Sequence, residues 1–147
     1  MFKFRGKSIH SGQMIYGTSL LQNNEECCIR LGTPISHWEP VIKDTLGMEY
    51  TIPGTPVIKV YTGDIVKYMF SEQNTLYSKY FIVKTTETGA CLEEAWRDYK
   101  LNPETFEISR FDNFENKGTQ YDLKLQRHGT FCKVIGNIWE NPELAKI

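Results

Sequence analysis

Apolar positions in this chain recur mostly at every second residue, in short runs separated by turn formers. The clearest case is Tyr121, Leu123 and Leu125, which alternate with Asp122, Lys124 and Gln126 as a half-buried strand does. Near the start, Phe2 to Ile9 reads as a short strand, Ser11-Gly12 as a turn, and Gln13 to Leu21 as a second strand. On that second strand Met14, Tyr16, Thr18 and Leu20 share one face, and Ile15, Gly17, Ser19 and Leu21 the other. Asn23-Asn24 breaks the run, and Cys27 to Leu31 makes a third strand. Short extended pieces follow at His37-Trp38 and from Gly47 to Ile52, among Gly32, Pro34 and Pro40.

Pro53-Gly54-Thr55-Pro56 is the strongest break. It divides the chain into an N-terminal β-hairpin region (1–52), a connection (53–56) and a C-terminal domain (57–147). Beyond it the run Val57 to Tyr61 is dense in β-formers, Thr62-Gly63-Asp64 turns, and Ile65 to Phe70 is the next strand. Ser71 to Thr75 reads as a loop, Leu76 to Thr86 as a strand, and Thr88-Gly89 as a turn. Leu92, Ala95, Trp96 and Tyr99 fall at helical spacing, so Cys91 to Tyr99 is expected to be a short helix. Phe106 to Arg110 alternates briefly, Lys117-Gly118-Thr119 and Arg127-His128-Gly129 turn, and Phe131 to Trp139 is the last strand. Asn141 as cap, Pro142 at the first position and Glu143 in the first turn predict one closing turn of helix. The expected fold is mainly β, a β-rich α+β protein with one short helix or two. Turn signals at intervals of roughly ten residues suit a small barrel or roll.

Composition narrows the function classes. At 147 residues the chain can bury a core without metal or disulfide staples. The balance of 17 Lys+Arg against 18 Asp+Glu argues against a uniformly basic nucleic-acid coat. Hydrophobic content of 40% is too high for a disordered chain. No apolar run approaches the roughly 18–20 residues of a membrane span. The opening residues interleave Lys3, Arg5 and Lys7 with Phe2 and Phe4, unlike a signal peptide. An intracellular protein without a membrane segment is expected. Cys27 and Cys28 are vicinal and ill suited to a bridge, which leaves Cys91 and Cys132 as an open pairing question; four reduced thiols are the simplest expectation.

No motif dictates a chemistry. His10, His37, His128 and the cysteines offer one close pair, His128 with Cys132, and no second half-site, so no metal and no cofactor are expected. No nucleophile elbow, phosphate-binding glycine loop or cysteine signature occurs. Glu25-Glu26 and Glu93-Glu94 read as solvated surface. No catalytic residue is assigned, and a non-enzyme is expected.

Charge is nevertheless segregated. Residues 1–24 hold three basic and no acidic side chains; 117–133 hold four basic and one acidic; 101–116 hold four acids and one arginine. With Phe2, Phe4, Tyr16, Tyr121 and Phe131 near the cations, Lys3, Arg5, Lys7, Lys124 and Arg127 are the residues that would hold a single-stranded nucleic acid.

Gly63-Asp64-Ile65-Val66-Lys67-Tyr68, followed by Val134-Ile135-Gly136-Asn137-Ile138-Trp139-Glu140-Asn141-Pro142-Glu143-Leu144, resembles the YopX-like family of phage and prophage proteins. Lys3 to Ile9, Ile15-Tyr16-Gly17 and Thr45-Leu46-Gly47 are similar to that family's start and to its element before the linker. Pro53-Gly54-Thr55-Pro56 departs from the polar glycine hairpin usual before the Gly-Asp-Ile-Val strand, and Tyr61-Thr62 replaces a more acidic lead-in. The resemblance implies a β-rich fold with an SH3-like C-terminal barrel, a phage origin and work in the host cytoplasm. It implies no established activity and no catalytic residues. In physical terms Gly63 suits a positive φ and Asp64 a bond to the turn backbone. Gly136 and Asn137 suit a bulge that turns Trp139 inward, before Asn141 and Pro142 start the helix.

A phage accessory module that binds a host or phage protein is the leading expectation, since small barrels expose edge strands and aromatic grooves. Single-strand nucleic-acid binding through 1–24 and 117–133, and an unrecognised enzyme, are the alternatives. An apolar edge could also be covered by a second copy in a homo-oligomer.

Overall fold

A computed structural model describes residues 3–32, 37–53, 57–72, 75–87, 89–101, 104, 108–110, 120–122 and 131–145. The chain forms two compact units, Met1–Tyr50 and Thr51–Ile147. It is mainly β, built from antiparallel strands with two single 3-10 turns among the described residues, at Lys43–Thr45 and Pro142–Ala145.

In the first unit, β1 (Phe4–Lys7) pairs with β2 (Met14–Gly17) on one side and β6 (Gly47–Ile52) on the other. The hairpin turn closes with the Ser8 N–H on the Gln13 carbonyl at 2.9 Å. The strand expected from Gln13 to Leu21 is in fact two. It breaks after Gly17, where the backbone lies so close to Ile29 Cγ2 and the Arg30 carbonyl that a side chain would collide with them. The chain resumes as β3 (Leu20–Gln22) in a second sheet, ordered β3–β4–β5 with β4 (Cys27–Leu31) and β5 (His37–Pro40). The break shifts the alternation: Ile15 and Leu20, an odd number apart, both pack on the core, and Leu21 faces out. An Asn23 side chain that accepts the Glu25 and Glu26 N–H groups at 2.8 and 2.7 Å makes the β3–β4 turn. Cys27, Ile29 and Val41 form the core, with Phe4, Ile15, Leu20 and Leu46 packed around them. Burial of each large aliphatic contributes about 1.5–3 kcal/mol.

The second unit contains the last two residues of β6, then β7 (Ile58–Tyr61), and is dominated by a meander of long strands, β8 (Asp64–Glu72), β9 (Thr75–Thr86) and β10 (Gly89–Leu101). Strand β13 (Phe131–Asn137) pairs with the free side of β8; β11 (Ile108–Arg110) and β12 (Gln120–Asp122) pair with β10. The helix expected over Cys91 to Tyr99 is a strand. A register shift between Glu94 and Trp96 explains the misleading spacing. One extra residue lets positions three apart share a face, so Leu92 and Ala95 are both buried without a helix. The loop expected at Ser71 to Thr75 is shorter, since β8 runs to Glu72 and β9 starts at Thr75. The closing helical turn at Pro142–Ala145 is present.

Candidate functional site

Residues opposed across antiparallel strands point to the same side of a sheet. In the β3–β4–β5 sheet, Leu20, Ile29 and Glu39 are in one row; Leu21, Cys28 and Pro40 are in the next; Arg30 faces Trp38. Cys27 and Ile29 point into the core. Leu21, Cys28, Arg30, Trp38 and Pro40 therefore make the outer face. The backbone stays extended through Ile42 (φ −67°, ψ 118°), so Trp38, Pro40 and Ile42 line up at alternate positions. Leu21 is 58% exposed, and Trp38 and Ile42 are each 43% exposed. Ile9, also exposed, donates its backbone N–H to the Pro40 carbonyl at 3.0 Å. Usually the polar side of a half-buried strand faces water; here an aromatic, a proline and an aliphatic do.

The inward position of Glu39 explains the inversion. Ser8, at the end of β1, is buried and donates its hydroxyl to Glu39 Oε1 at 2.7 Å. The same hydroxyl oxygen accepts the His10 and Ser11 N–H groups, each at 3.2 Å. Glu39 Oε2 lies 3.2 Å from His37 Nε2. The Ser8 hydrogen bond, helped by His37 and the nearby His10, holds the Glu39 carboxyl below its usual range against the opposing effect of burial. This order is wrong for serine catalysis, which needs an imidazole to take the hydroxyl proton. A stabilised carboxylate is a weak base for that step. The network anchors β5 to the first hairpin.

The second unit contains a buried polar row. Cys132, Tyr68 and Lys79 face one another across β13, β8 and β9. Lys79 Nζ meets Glu94 Oε1 at 3.3 Å, with side-chain exposures of 13% and 1%. The Tyr68 ring meets Phe81 edge-on, centroids 5.3 Å apart. Burial, then the neighbouring Cys132, raises the Tyr68 hydroxyl well above the ordinary tyrosine range. Burial pushes the Cys132 thiol up to about 11, although the neighbouring Tyr68 hydroxyl partly offsets it. Both groups hold their protons at neutral pH, so neither is an activated nucleophile. Among the described residues no three His, Cys, Asp or Glu side chains could hold a metal ion. The described cysteines are all free thiols, including Cys91 and Cys132. His128, four residues before Cys132 in the lone close pair of the sequence, lies outside the described residues.

The residues that carry the family resemblance meet in a knot. Gly63 adopts φ +89°, donates its N–H to the Val83 carbonyl at 2.8 Å and accepts the Ile138 N–H at 3.0 Å. A side chain at Gly63 would enter the Trp139 ring. Asp64 Oδ2 accepts the Tyr61 N–H at 2.8 Å. Gly136 follows a register shift in β13 and lies against the Asn141 side chain. Asn137 Oδ1 accepts the Trp139 and Glu140 N–H groups at 3.1 and 2.8 Å, and Asn141 Oδ1 accepts the Asn137 N–H at 3.2 Å. Pro142 then opens the 3-10 turn. These contacts are architectural.

The cations expected to hold nucleic acid do not assemble into one described surface. Lys3 is exposed and Lys7 half-buried, but Arg5 is only 3% exposed. Its place in β1, between Tyr16 of β2 and Gly47 of β6, removes it from solvent and from that role. Lys124 and Arg127 lie outside the described residues. The outer face of β3–β5 escaped sequence reasoning. Its signal is the run Trp38-Glu39-Pro40-Val41-Ile42, in which the alternation can be read in either direction until Ser8 is known to hold Glu39 inside.

Fold and site thus define a mainly antiparallel β protein whose signature residues build structure and whose first unit exposes an apolar sheet face. The family model described as YopX protein matches residues 3–146, and the chain belongs to that family. No curated protein and no solved structure matches it. No helix among the described residues is long and apolar enough to cross a membrane.

Proposed function

We propose that this member of the YopX family is a non-enzymatic module that binds another protein, is of phage origin, and acts in the cytoplasm of the infected host. The observation that supports this reading is the outer face of β3–β5, where Leu21, Trp38 and Ile42 stay exposed on one side, connected through the row of Leu21, Cys28 and Pro40. Contiguous exposed apolar surface mark interaction sites, and tryptophan is the strongest single anchor at them. The test is affinity capture from infected-host lysate with the wild type and with the double variant Trp38→Ala/Ile42→Ser. A partner should be retained by the wild type and lost by the variant, with unchanged melting temperatures, and the purified partner should reproduce the difference. A turnover activity in the purified protein refutes the reading. So does capture limited to single-stranded nucleic acid that falls steeply with salt.

A further inference from the structure

We propose that the chain pairs with a second copy of itself through the open edge of β3, antiparallel and in a register centred on Leu21. This goes beyond the protein-binding reading above and does not depend on it. The β3–β4–β5 sheet has two edges, and they are finished differently. On the β5 edge Pro40 has no N–H to offer, and its carbonyl accepts the Ile9 N–H at 3.0 Å. Ile42 donates its N–H to the Lys7 carbonyl at 2.8 Å, and Ser8 bridges to Val41. The end of β1 thus closes that side along Pro40 to Ile42.

The β3 edge has no such cover. Asn23 donates its N–H to the Glu26 carbonyl at 2.9 Å, and the Ser19 carbonyl accepts the Arg30 N–H at 3.1 Å. Positions 19, 21 and 23 therefore bond toward β4, and the backbone N–H and C=O groups of Leu20 and Gln22 point the other way. Among the described residues no strand and no backbone hydrogen bond meets them there. From Thr18 to Asn24 the chain holds neither a charge nor a proline, the side chains that usually keep an edge from pairing.

The strand is its own complement. About a two-fold axis at Leu21, Leu20 of each copy faces Gln22 of the other, and the opposed residues exchange both hydrogen bonds. The uncharged run from Thr18 to Asn24 brings no like charges into opposition. Leu21 meets its own copy in the close, non-hydrogen-bonded position, with Cα atoms about 4.5 Å apart. Directly opposed residues share a face, so the apolar row of Leu21, Cys28 and Pro40 runs on into the same row of the second copy. Leu21, 58% exposed in the single chain, is covered by this contact. A foreign strand would have to supply such a row from its own sequence; a second copy supplies it by symmetry.

Sedimentation velocity on the full chain, in a concentration series up to about 1 mM, should show reversible dimers. Leu21→Lys opposes like charges across the axis and should weaken the dimer at least about tenfold, as should Leu21→Glu; an equimolar mixture of the two should recover it. Leu21 is exposed in the single chain, so both variants should keep the wild-type circular dichroism. In a Cys28→Ser background, Leu21→Cys should form a disulfide between copies under mild oxidation, which reads the register without a charged variant. A chain that stays monomeric throughout overturns the pairing. So does association that neither charged variant weakens, a mixture no better than either variant alone, or absence of the crosslink. A monomer whose lysate partner is lost with Leu21→Lys overturns it in favour of a foreign strand. If the chain is monomeric and a lysate protein is still lost with Trp38→Ala/Ile42→Ser, the pairing is refuted and the binding reading stands.

Discussion

Replacing Gly63 by alanine puts the knot of the second unit under direct strain. At φ +89° an alanine occupies the left-handed region, at a cost of about 1–2 kcal/mol. Its methyl group falls on Cζ3 and Cη2 of the Trp139 indole. Either the ring leaves its place or the turn shifts, and overpacking of this kind costs about 1–3 kcal/mol. The stiffer unfolded chain offsets about 0.4–1 kcal/mol. The net loss centres on about 2–4 kcal/mol, or roughly 4–16 °C in melting temperature for a chain of this size. Urea unfolding followed by tryptophan fluorescence measures it. The steric part can be separated by repeating the substitution in a Trp139→Leu background, where the penalty should shrink to the backbone share of about 1–2 kcal/mol. A Gly63→Ala protein within about 0.5 kcal/mol of wild type would refute the reasoning. An undiminished penalty in the Trp139→Leu background would show that the ring is not what the methyl meets.

Ser8→Ala removes the hydroxyl that serves Glu39, His10 and Ser11, and should cost about 1–3 kcal/mol with faster amide exchange at His10 and Ser11. Glu39 has a lowered folded pKa, so its contribution is present above the unfolded carboxyl range and is lost as pH falls through the folded value. Wild type should therefore lose more stability than Glu39→Gln between about pH 5 and pH 3, measured by urea melts at each pH. Glu94→Ala leaves the Lys79 ammonium without its buried carboxylate and should cost about 3–5 kcal/mol, whereas Lys79→Met/Glu94→Leu should cost less than that single change. Among the described thiols the half-exposed Cys28 should react first with a thiol reagent at neutral pH. Cys27, Cys91 and Cys132, each raised by burial, should wait for unfolding; prior labelling of Cys132, located by mass spectrometry, would contradict this.

Local signals carried much of the fold. Cys27–Leu31 is the strand its neighbours predict, Gly47–Ile52 is extended, and Asn23 supplies the turn expected of it. What stayed hidden depends on partners distant in sequence. A bulge between Glu94 and Trp96 gives a strand the spacing of a helix, and only its pairing with β9 reveals this. Gly17, the last residue of β2, must be small because of Ile29 and Arg30, which no window around Gly17 contains. Arg5 looks like a surface cation until β2 and β6 enclose it. The candidate face was invisible for a similar reason. Trp38 and Glu39 are adjacent, and the choice of which points outward is made by Ser8, on another strand.

The place of β13 beside β8 sets an order of events during synthesis. Strands β8, β9 and β10 follow one another and can zip as a local meander when they leave the ribosome. The other edge of β8 must wait for residues Phe131–Asn137, and the Gly63 turn must wait for Trp139. Until then the nascent chain presents an unpaired strand containing Ile65 and Val66, the kind of edge that recruits chaperones or other nascent chains. A frameshift or stop shortly before residue 131 would thus leave a meander with one open edge, prone to aggregation rather than to a smaller working fold.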